Sequence, residues 1–221
     1  MRIVDLSIPI DPDTQVFPGD PVPAFAPAST IAIDGYNVLH VTLGTHTGTH
    51  VDAPYHVRAN GARVDELAID RFVAPAGIVD LRGRPARSAI SRSDLAGTVW
   101  PSGGAAVLHT GWSRHRGTPR YFDHPFLMPD AAQFLLDAGV RTLALDTPNP
   151  DPTDLGGTGP ARLPVHGLVA EAGGIIVENL TALESIDFAE PWLSVLPLRI
   201  AGADGAPCRA VAFTTSGRNG N

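Results

Sequence analysis

The stretch His46-Thr47-Gly48-Thr49-His50-Val51-Asp52-Ala53-Pro54-Tyr55-His56 places three of the chain's eight histidines and one aspartate within eleven residues. Neutral imidazole and carboxylate are the usual ligands of zinc and related divalent cations. The four side chains share one parity, so a continuous strand would turn them to one face. Ten strand steps, however, span roughly 33 Å, too far for one ion. A helix would stack His50 on His46 but swing Asp52 away. Gly48 and Pro54 also oppose a helix. The spacing therefore predicts a bent loop, turned at Gly48 and again near Pro54, that folds its ligands inward. The hydroxyls of Thr45, Thr47 and Thr49 are placed to hold that backbone.

Outward from this loop, the chain reads as short strands mixed with a few helices. Arg2 to Ile10 begins as a strand and ends at the turn Asp11-Pro12-Asp13. Ser29 to Ile33 and Tyr36 to Leu43 read as two strands joined at Asp34-Gly35, a strong hairpin signal. Asp65 to Ile69 reads as a short helix and Ala76 to Leu81 as a strand. Ser91 has the chemistry of an N-cap for a short helix through Leu95. Ala105 to His109 is a buried strand by its apolar run. Pro129 to Ala138 is the clearest helix, opened by proline and closed by Gly139.

Further along, Arg141 to Leu145 and Ile175 to Val177 read as strands, and Pro164 to Ala172 as a helix. Asp151 to Gly159 carries no packing signal. Leu193 to Ile200 and Pro207 to Phe213 read as a hairpin around Gly202 to Gly205. This order predicts a single α/β domain over residues 1–213, with a curved mixed sheet, flanking helices and a polar tail at 214–221.

Composition narrows the function. A hydrophobic fraction of 43% excludes a disordered chain. Net charge is −7 and there is no basic run, which argues against nucleic acid as a partner. All sixteen basic residues are arginine, so neither a lysine Schiff base nor a Walker-type phosphate loop is available. The single cysteine, Cys208, can form no internal disulfide. No Gly-x-Ser-x-Gly and no Gly-x-Gly-x-x-Gly is present. The absence of a signal-type run at Met1 to Leu6 and of any membrane-length segment gives the expectation of a cytoplasmic protein with no membrane partner.

The motif His-x-Gly-Thr-His-x-Asp-x-Pro-x-His resembles the signature of the metal-dependent cyclase family, which includes bacterial kynurenine formamidases and isatin hydrolases. The resemblance runs from Asp5-Leu6-Ser7 to Arg209-Ala210-Val211. It implies a swivelling β/β/α fold and a hydrolase acting on C–N bonds other than peptide bonds. The implied substrate is a small molecule, an N-formyl aryl amine or a cyclic amide. A biosynthetic cyclase or dehydratase on the same site, and a non-catalytic metal-binding protein, are the alternatives.

Carried over residue by residue, the resemblance makes His46, His50, Asp52 and Glu178 the surroundings of one metal. Asp52, His166 and Glu178 surround a second, with the two carboxylates bridging. His166 is found in Leu163-Pro164-Val165-His166 and Glu178 in Glu178-Asn179-Leu180. The ions are one or two divalent cations, zinc first and manganese second. His56 takes the place of the general acid/base, a role suited to a group that titrates near neutrality. Phe17, before Pro18-Gly19-Asp20-Pro21, stands at an aromatic position near the site. Trp112, in Thr110-Gly111-Trp112, has two readings, pocket wall or core. Asp146-Thr147-Pro148-Asn149 resembles an Asp-x-Pro-Ser element. Asn149 replaces the serine and bears on specificity, and Asp146 is read as supporting a ligand from behind. The resemblance also implies a homo-oligomer, a dimer.

Overall fold

The computed structural model describes residues 1–155 and 162–214. Thirteen strands are formed: β1 (Arg2–Asp5), β2 (Ala24–Ser29), β3 (Val38–Thr42), β4 (His50–Asp52), β5 (Val73–Asp80), β6 (Ala89–Ile90), β7 (Ala105–His109), β8 (Phe126–Leu127), β9 (Thr142–Leu145), β10 (Ile175–Glu178), β11 (Trp192–Ser194), β12 (Gly205–Pro207) and β13 (Val211–Thr214). The helices are α1 (Ile31–Asp34), α2 (Arg92–Leu95), α3 (Pro129–Asp137) and α4 (Pro164–Glu171). No helix among the described residues is long and apolar enough to cross a membrane.

Nine strands form one mixed sheet in the order β1-β13-β11-β5-β7-β9-β10-β4-β12. The middle four, β5, β7, β9 and β10, are parallel. The strands outside them on both flanks are antiparallel. Only three residues join β12, at one end of this order, to β13, near the other. Four Cα steps span at most about 15 Å, whereas seven inter-strand spacings in a flat sheet cover about 34 Å. The sheet must therefore roll into an open half-barrel. Leu6 stitches the roll: its N–H donates to Ala210 O and its carbonyl accepts from Thr181 N, both at 2.9 Å.

Period-two alternation fills both sides of the rolled sheet. Ala105, Val107, Ala144, Ile175, Val177 and Val51 point into the concave core. Ala106, Leu108, Leu143, Leu145 and Ile176 point outward against Leu135 of α3 and Val165 and Val169 of α4. Burying such a side chain contributes about 1.5–3 kcal/mol. Central parallel strands covered on both faces must be apolar on both, which is what β7 and β9 are.

Several expected elements form with shifted ends, and others are corrected. The run Ser29 to Ile33 is not a strand: β2 ends at Ser29 and a single helical turn follows. The Asp34 carboxylate accepts from Thr30 N at 2.8 Å and Asn37 Oδ1 accepts from Ile31 N at 2.9 Å. That local capping outweighs the strand preference of two isoleucines. Asp65 to Ile69 forms no helix; a 3₁₀ turn occupies Ile69–Phe72 instead. The 193–200 and 207–213 segments do pair, through Leu193↔Ala212 and Pro197↔Cys208. Between them, however, the chain lays β12 against β4. Ser91 caps α2 through a capping box with Asp94. Thr214 ends β13, and the remainder of the expected tail lies outside the described residues.

Candidate active site

The centre of the histidine-rich stretch is a strand rather than loop. Gly48, at φ +71°, turns the chain into β4, and Pro54–His56 forms a 3₁₀ turn beyond it. A side chain at Gly48 would meet Ile10 Cγ1 at 2.9 Å, so both backbone and packing call for glycine. Of the three flanking threonines, Thr49 holds the backbone, accepting from Ile8 N and donating to Asn179 O. Thr45 donates instead to Asp204 Oδ1, and the Thr47 hydroxyl has no partner.

Sheet register assembles the rest. In the β4–β10 pair, His50 stands opposite Glu178 and Asp52 opposite Ile176. Since Val51 and Val177 face the concave core, His50, Asp52 and Glu178 share the face that α4 covers. His166, in the first turn of α4, meets them there. His50 Nε2 lies 3.2 Å from Asp52 Oδ1 and 3.5 Å from Glu178 Oε2. His166 Nε2 lies 3.6 Å from Asp52 Oδ2 and 3.5 Å from Glu178 Oε1. Each carboxylate thus turns one oxygen to His50 and the other to His166. His46 Nδ1 approaches Asp52 Oδ1 at 2.8 Å.

The second nitrogen of each imidazole is held from outside the cluster. His50 Nδ1 donates to Gly48 O at 2.9 Å. His166 Nδ1 donates to Asp151 Oδ2 at 2.7 Å. His46 Nε2 donates to Asp204 Oδ2 at 2.9 Å. With those hydrogens placed outward, three imidazole lone pairs converge on two buried carboxylates. His50 Nε2 and Asp52 Oδ2 are buried without any hydrogen-bond partner. Lone pairs facing anions in a buried site demand positive charge, and unpaired buried polar atoms are costly. Among the described residues, three groups are each compact enough to hold a metal ion: the buried Asp52–His166–Glu178, the mostly buried His46–His50–Asp52, and the half-buried His46–His56–Asp204. The donor set, imidazole nitrogen plus shared carboxylate, fits divalent cations.

The electrostatics express the same demand. Burial opposes a charge on His46, yet its bonds to Asp204 and Asp52 raise it to about 10. His50 and His166 are raised in the same sense, against burial, by the carboxylates beside them. Burial also opposes ionisation of Asp52, but His50, His166 and His46 hold it well below the carboxylate range. Glu178 is raised, by burial and then by the charge on Asp52.

His56 stands beside this cluster, its ring 4.1 Å from that of His46 and 5.7 Å from that of His166. Burial lowers its pKa below the ordinary value of 6.5, so it is neutral at pH 7. His46, His50, His56, His166 and Glu178 together line the floor of a cleft of about 220 Å³. Val16, Phe17, Tyr121, Phe122, Asn149 and Leu163 also line it. Phe17 packs edge-on to Phe122, centroids 5.9 Å apart. Gln15 straps this wall in place, donating to Thr118 O and accepting from Gly117 N.

Two expected roles fall elsewhere. Trp112 does not line the cleft; it is buried in the core and its indole N–H donates to Tyr121 O at 3.0 Å. Asp146 touches no histidine through its carboxylate. It accepts from Thr110 N, the Thr110 hydroxyl, Gly111 N and Trp112 N, tying the turn after β7 to the end of β9. Asn149 lines the cleft, but its Oδ1 accepts from Asp151 N within its own turn.

Sequence reading passed over Asp151, Asp204 and Tyr121. Asp151 is fully buried and accepts from Val165 N, His166 N and His166 Nδ1. Its only local signal was an aspartate in a proline-rich turn. Asp204 carried no signal beyond the turn pair Asp-Gly. Tyr121 donates to Asn179 Oδ1 at 2.8 Å, and Asn179, at φ +59°, donates in turn to Gly48 O. These contacts lock the bend of the histidine-rich stretch to the end of β10.

Comparison with known proteins agrees with this assembly. The Cyclase family model, described as "Putative cyclase", matches residues 4–152. The chain is 34% identical over 214 residues to a kynurenine formamidase of Salinibacter ruber, covering 96% of this chain and 97% of that one. Isatin hydrolase A from Labrenzia aggregata, bound to benzyl benzoate, superposes with a TM-score of 0.84 at 26% identity, over 97% and 94% of the two chains. A potential metal-dependent hydrolase with cyclase activity superposes with a TM-score of 0.75 at 26% identity, over 98% and 99%. By the extent of the family match and the identity to the formamidase, this chain belongs to the cyclase family.

Proposed function

We propose that the chain is a metal-dependent hydrolase that cleaves the C–N bond of an N-formyl aryl amine, with a cyclic aryl amide as the related substrate class. One observation carries the reading: Asp52 and Glu178 each turn one oxygen to His50 and the other to His166, with a neutral His56 beside them in an aromatic-walled cleft. His46, His50, Asp52 and Glu178 would hold one divalent cation, and Asp52, His166 and Glu178 a second. The mixed nitrogen and oxygen donors suit zinc first and manganese second. A cation bound there supplies Lewis acidity, bringing the pKa of a water to about 7 and drawing charge from the substrate carbonyl.

His56 moves the proton. With Nδ1 turned to Asp204, 3.4 Å away, Nε2 is the nitrogen left for the cleft. It accepts a proton from the attacking water and returns it to the departing amine nitrogen, so that water and formamide become formate and free amine. Phe17, Phe122 and Tyr121 exclude water and seat the aryl ring. Asn149, which lines the cleft, adjusts which ring substituents fit.

Two supports come from the names of relatives: a kynurenine formamidase by sequence and an isatin hydrolase by fold. The test loads metal-free protein with zinc or manganese and supplies an N-formyl aryl amine and isatin. Formate or ring-opened product is expected, with His46→Ala and Asp52→Ala losing metal and turnover together. His56→Asn should keep its metal and lose about 10²–10⁴-fold in kcat. Conversion of a substrate without net uptake of water would replace hydrolysis by a cyclase reaction.

The working unit is a homodimer. The β2–β3 hairpin stands away from the core with both faces exposed, and it carries Ile31, Ile33, Tyr36, Leu39 and Val41 in the open. A contiguous apolar surface of this kind marks an interaction site. Ile33→Asp with Leu39→Asp should convert a dimer of about twice the 23.2 kDa chain mass to monomer in light scattering. A wild-type monomer at all concentrations would refute the dimer.

A further inference from the structure

Asp204 lies outside the donor set proposed above, yet it touches one histidine of that set, His46, and the neighbouring His56. Its Oδ2 is 2.9 Å from His46 Nε2 and 3.4 Å from His56 Nδ1, and its Oδ1 accepts the Thr45 hydroxyl at 2.9 Å. We infer that Asp204 is a positioning residue that fixes the tautomers of His46 and His56 together through one shared carboxylate oxygen. The different roles of the two histidines rest on the hydrolase reading above; the shared restraint does not.

The chemistry is one of donors and acceptors. An ionised carboxylate only accepts, so each imidazole nitrogen facing it must carry hydrogen. For His46 this puts hydrogen on Nε2, so that Nδ1, 2.8 Å from Asp52 Oδ1, is the nitrogen that would give its lone pair to a cation displacing the proton between them. For His56 it leaves Nε2 as the lone pair that meets the cleft. Neutral imidazole in solution has either tautomer open to it, and the wrong one at either residue disables it as a ligand or as a base. Outer-sphere carboxylates of this kind commonly set imidazole orientation in metal sites. Here a single carboxylate does so for a candidate ligand and for a residue that is not one.

Backbone geometry holds Asp204 for the task. The next residue, Gly205, pairs with Asp52 in the β12–β4 register, and Asp204 O accepts from Ala53 N at 2.8 Å. The carboxylate is therefore carried by the sheet itself, one step from a candidate ligand. A side chain at Gly205 would meet Val51 O at 2.6 Å and His46 Cε1 at 2.9 Å, so glycine is what lets this edge close on the imidazole. The preceding turn is anchored separately, by Gly202 N donating to Asp65 Oδ1 at 3.0 Å.

The experiment compares wild type, Asp204→Asn and Asp65→Asn. Zinc affinity is measured by chelator competition, histidine tautomers by long-range ¹⁵N–¹H correlation on the zinc-loaded protein, and kcat and KM by turnover. Asn offers one acceptor oxygen where two imidazoles and a threonine compete. Asp204→Asn is expected to weaken zinc 10- to 100-fold, to give His56 a mixed tautomer pattern, and to lower kcat with KM nearly unchanged. Asp65→Asn, which weakens the Gly202 N–H bond by removing its charge and leaves Asp204 intact, should do none of these. Unchanged tautomers and affinity in Asp204→Asn would overturn the inference, as would equal losses in Asp65→Asn. Loss of one whole zinc equivalent at saturation would also overturn it, making Asp204 a ligand. Should Asp204→Asn not fold, Asp204→Ser, smaller and able to donate as well as accept, must shift the His56 tautomers in the same direction. Affinity and tautomers report on Asp204 even if no amide is turned over, so the two readings fail separately.

Discussion

Substituting Asp151 separates the support of a ligand from the ligand itself. The carboxylate is fully buried and accepts three hydrogen bonds: Val165 N at 2.8 Å, His166 N at 3.1 Å and His166 Nδ1 at 2.7 Å. The first two are N-terminal amides of α4, whose own N-cap, Leu163, has no capping side chain. Asp151 thus caps the helix from fourteen residues upstream and orients its histidine with the same group. Losing a cap costs about 0.5–2 kcal/mol. Removing one side of a buried charged pair costs about 3–5 kcal/mol. Because one side chain serves both, the terms overlap, and Asp151→Ala should cost about 3–5 kcal/mol in metal-free protein. In urea that moves the midpoint by about 1–2 M. Asp151→Asn keeps shape and one acceptor but turns an amide N–H toward a donor, so His166 is freed to rotate. It should lower metal affinity 10- to 100-fold at a cost of about 1–2 kcal/mol in stability. Urea melts of metal-free protein and chelator competition measure the two effects. If Asp151→Ala melts within about 0.5 kcal/mol of wild type and Asp151→Asn binds metal within threefold, Asp151 neither caps α4 nor orients His166.

Other perturbations test neighbouring links. Gly205→Ala should push back His46 or the β12 edge, costing about 1–3 kcal/mol and, in a metal titration, more affinity than stability. Metal affinity should rise at least tenfold per pH unit between pH 7 and 9, because His46, held at about 10 without metal, must release a proton to bind, and His50 and His166, also raised, steepen the slope. The sign reverses for the metal-free fold: the His46 contribution is complete below pH 6.5 and is lost as pH rises toward 10, so metal-free protein should melt lower at pH 9 than at pH 7. With His56 lowered by burial, kcat/KM should carry an acid limb lying below the ordinary histidine range, and His56→Asn should abolish that limb.

What could be read from sequence followed the range of the physics involved. The histidine-rich stretch was legible because its residue types and its two turn-makers, Gly48 and Pro54, act locally. Its middle was misread as loop because β4 is only three residues long and exists by pairing with β10 and β12, partners 124 to 157 residues away. Pro129–Asp137 was legible from its opening proline and closing glycine. The Ser29 to Ile33 run was not, because Asp34 and Asn37 supply caps that override isoleucine's preference. Asp151 and Asp204 were invisible for one reason: each serves a histidine elsewhere in the chain, and an aspartate in a turn looks the same whether it faces water or an imidazole. Asp146 shows the converse error. It stands in an element that resembles the family's, yet the donors that surround it belong to the turn after β7.

The outer anchors explain why the cluster belongs to the folded domain as a whole. Gly48 comes from the turn before β4, Asp151 from the segment before α4, and Asp204 from the approach to β12. The carboxylates they steer come from two paired strands, β4 and β10. No fragment of the chain contains an imidazole, its anchor and both carboxylates, since Asp52 and Glu178 alone are separated by more than half of the sequence. The unfolded chain therefore offers a cation only the local His46–His50–Asp52 group, without anchors or the second carboxylate. A cation binding the folded site adds RT ln(1 + [L]/Kd) to its stability, about 4.1 kcal/mol at a thousandfold excess over Kd. That increment is comparable to the whole net stability of many domains. Substitutions at Asp151 or Asp204 should accordingly lower the melting temperature of metal-loaded protein more than that of metal-free protein. The difference measures how far each anchor acts through the cation.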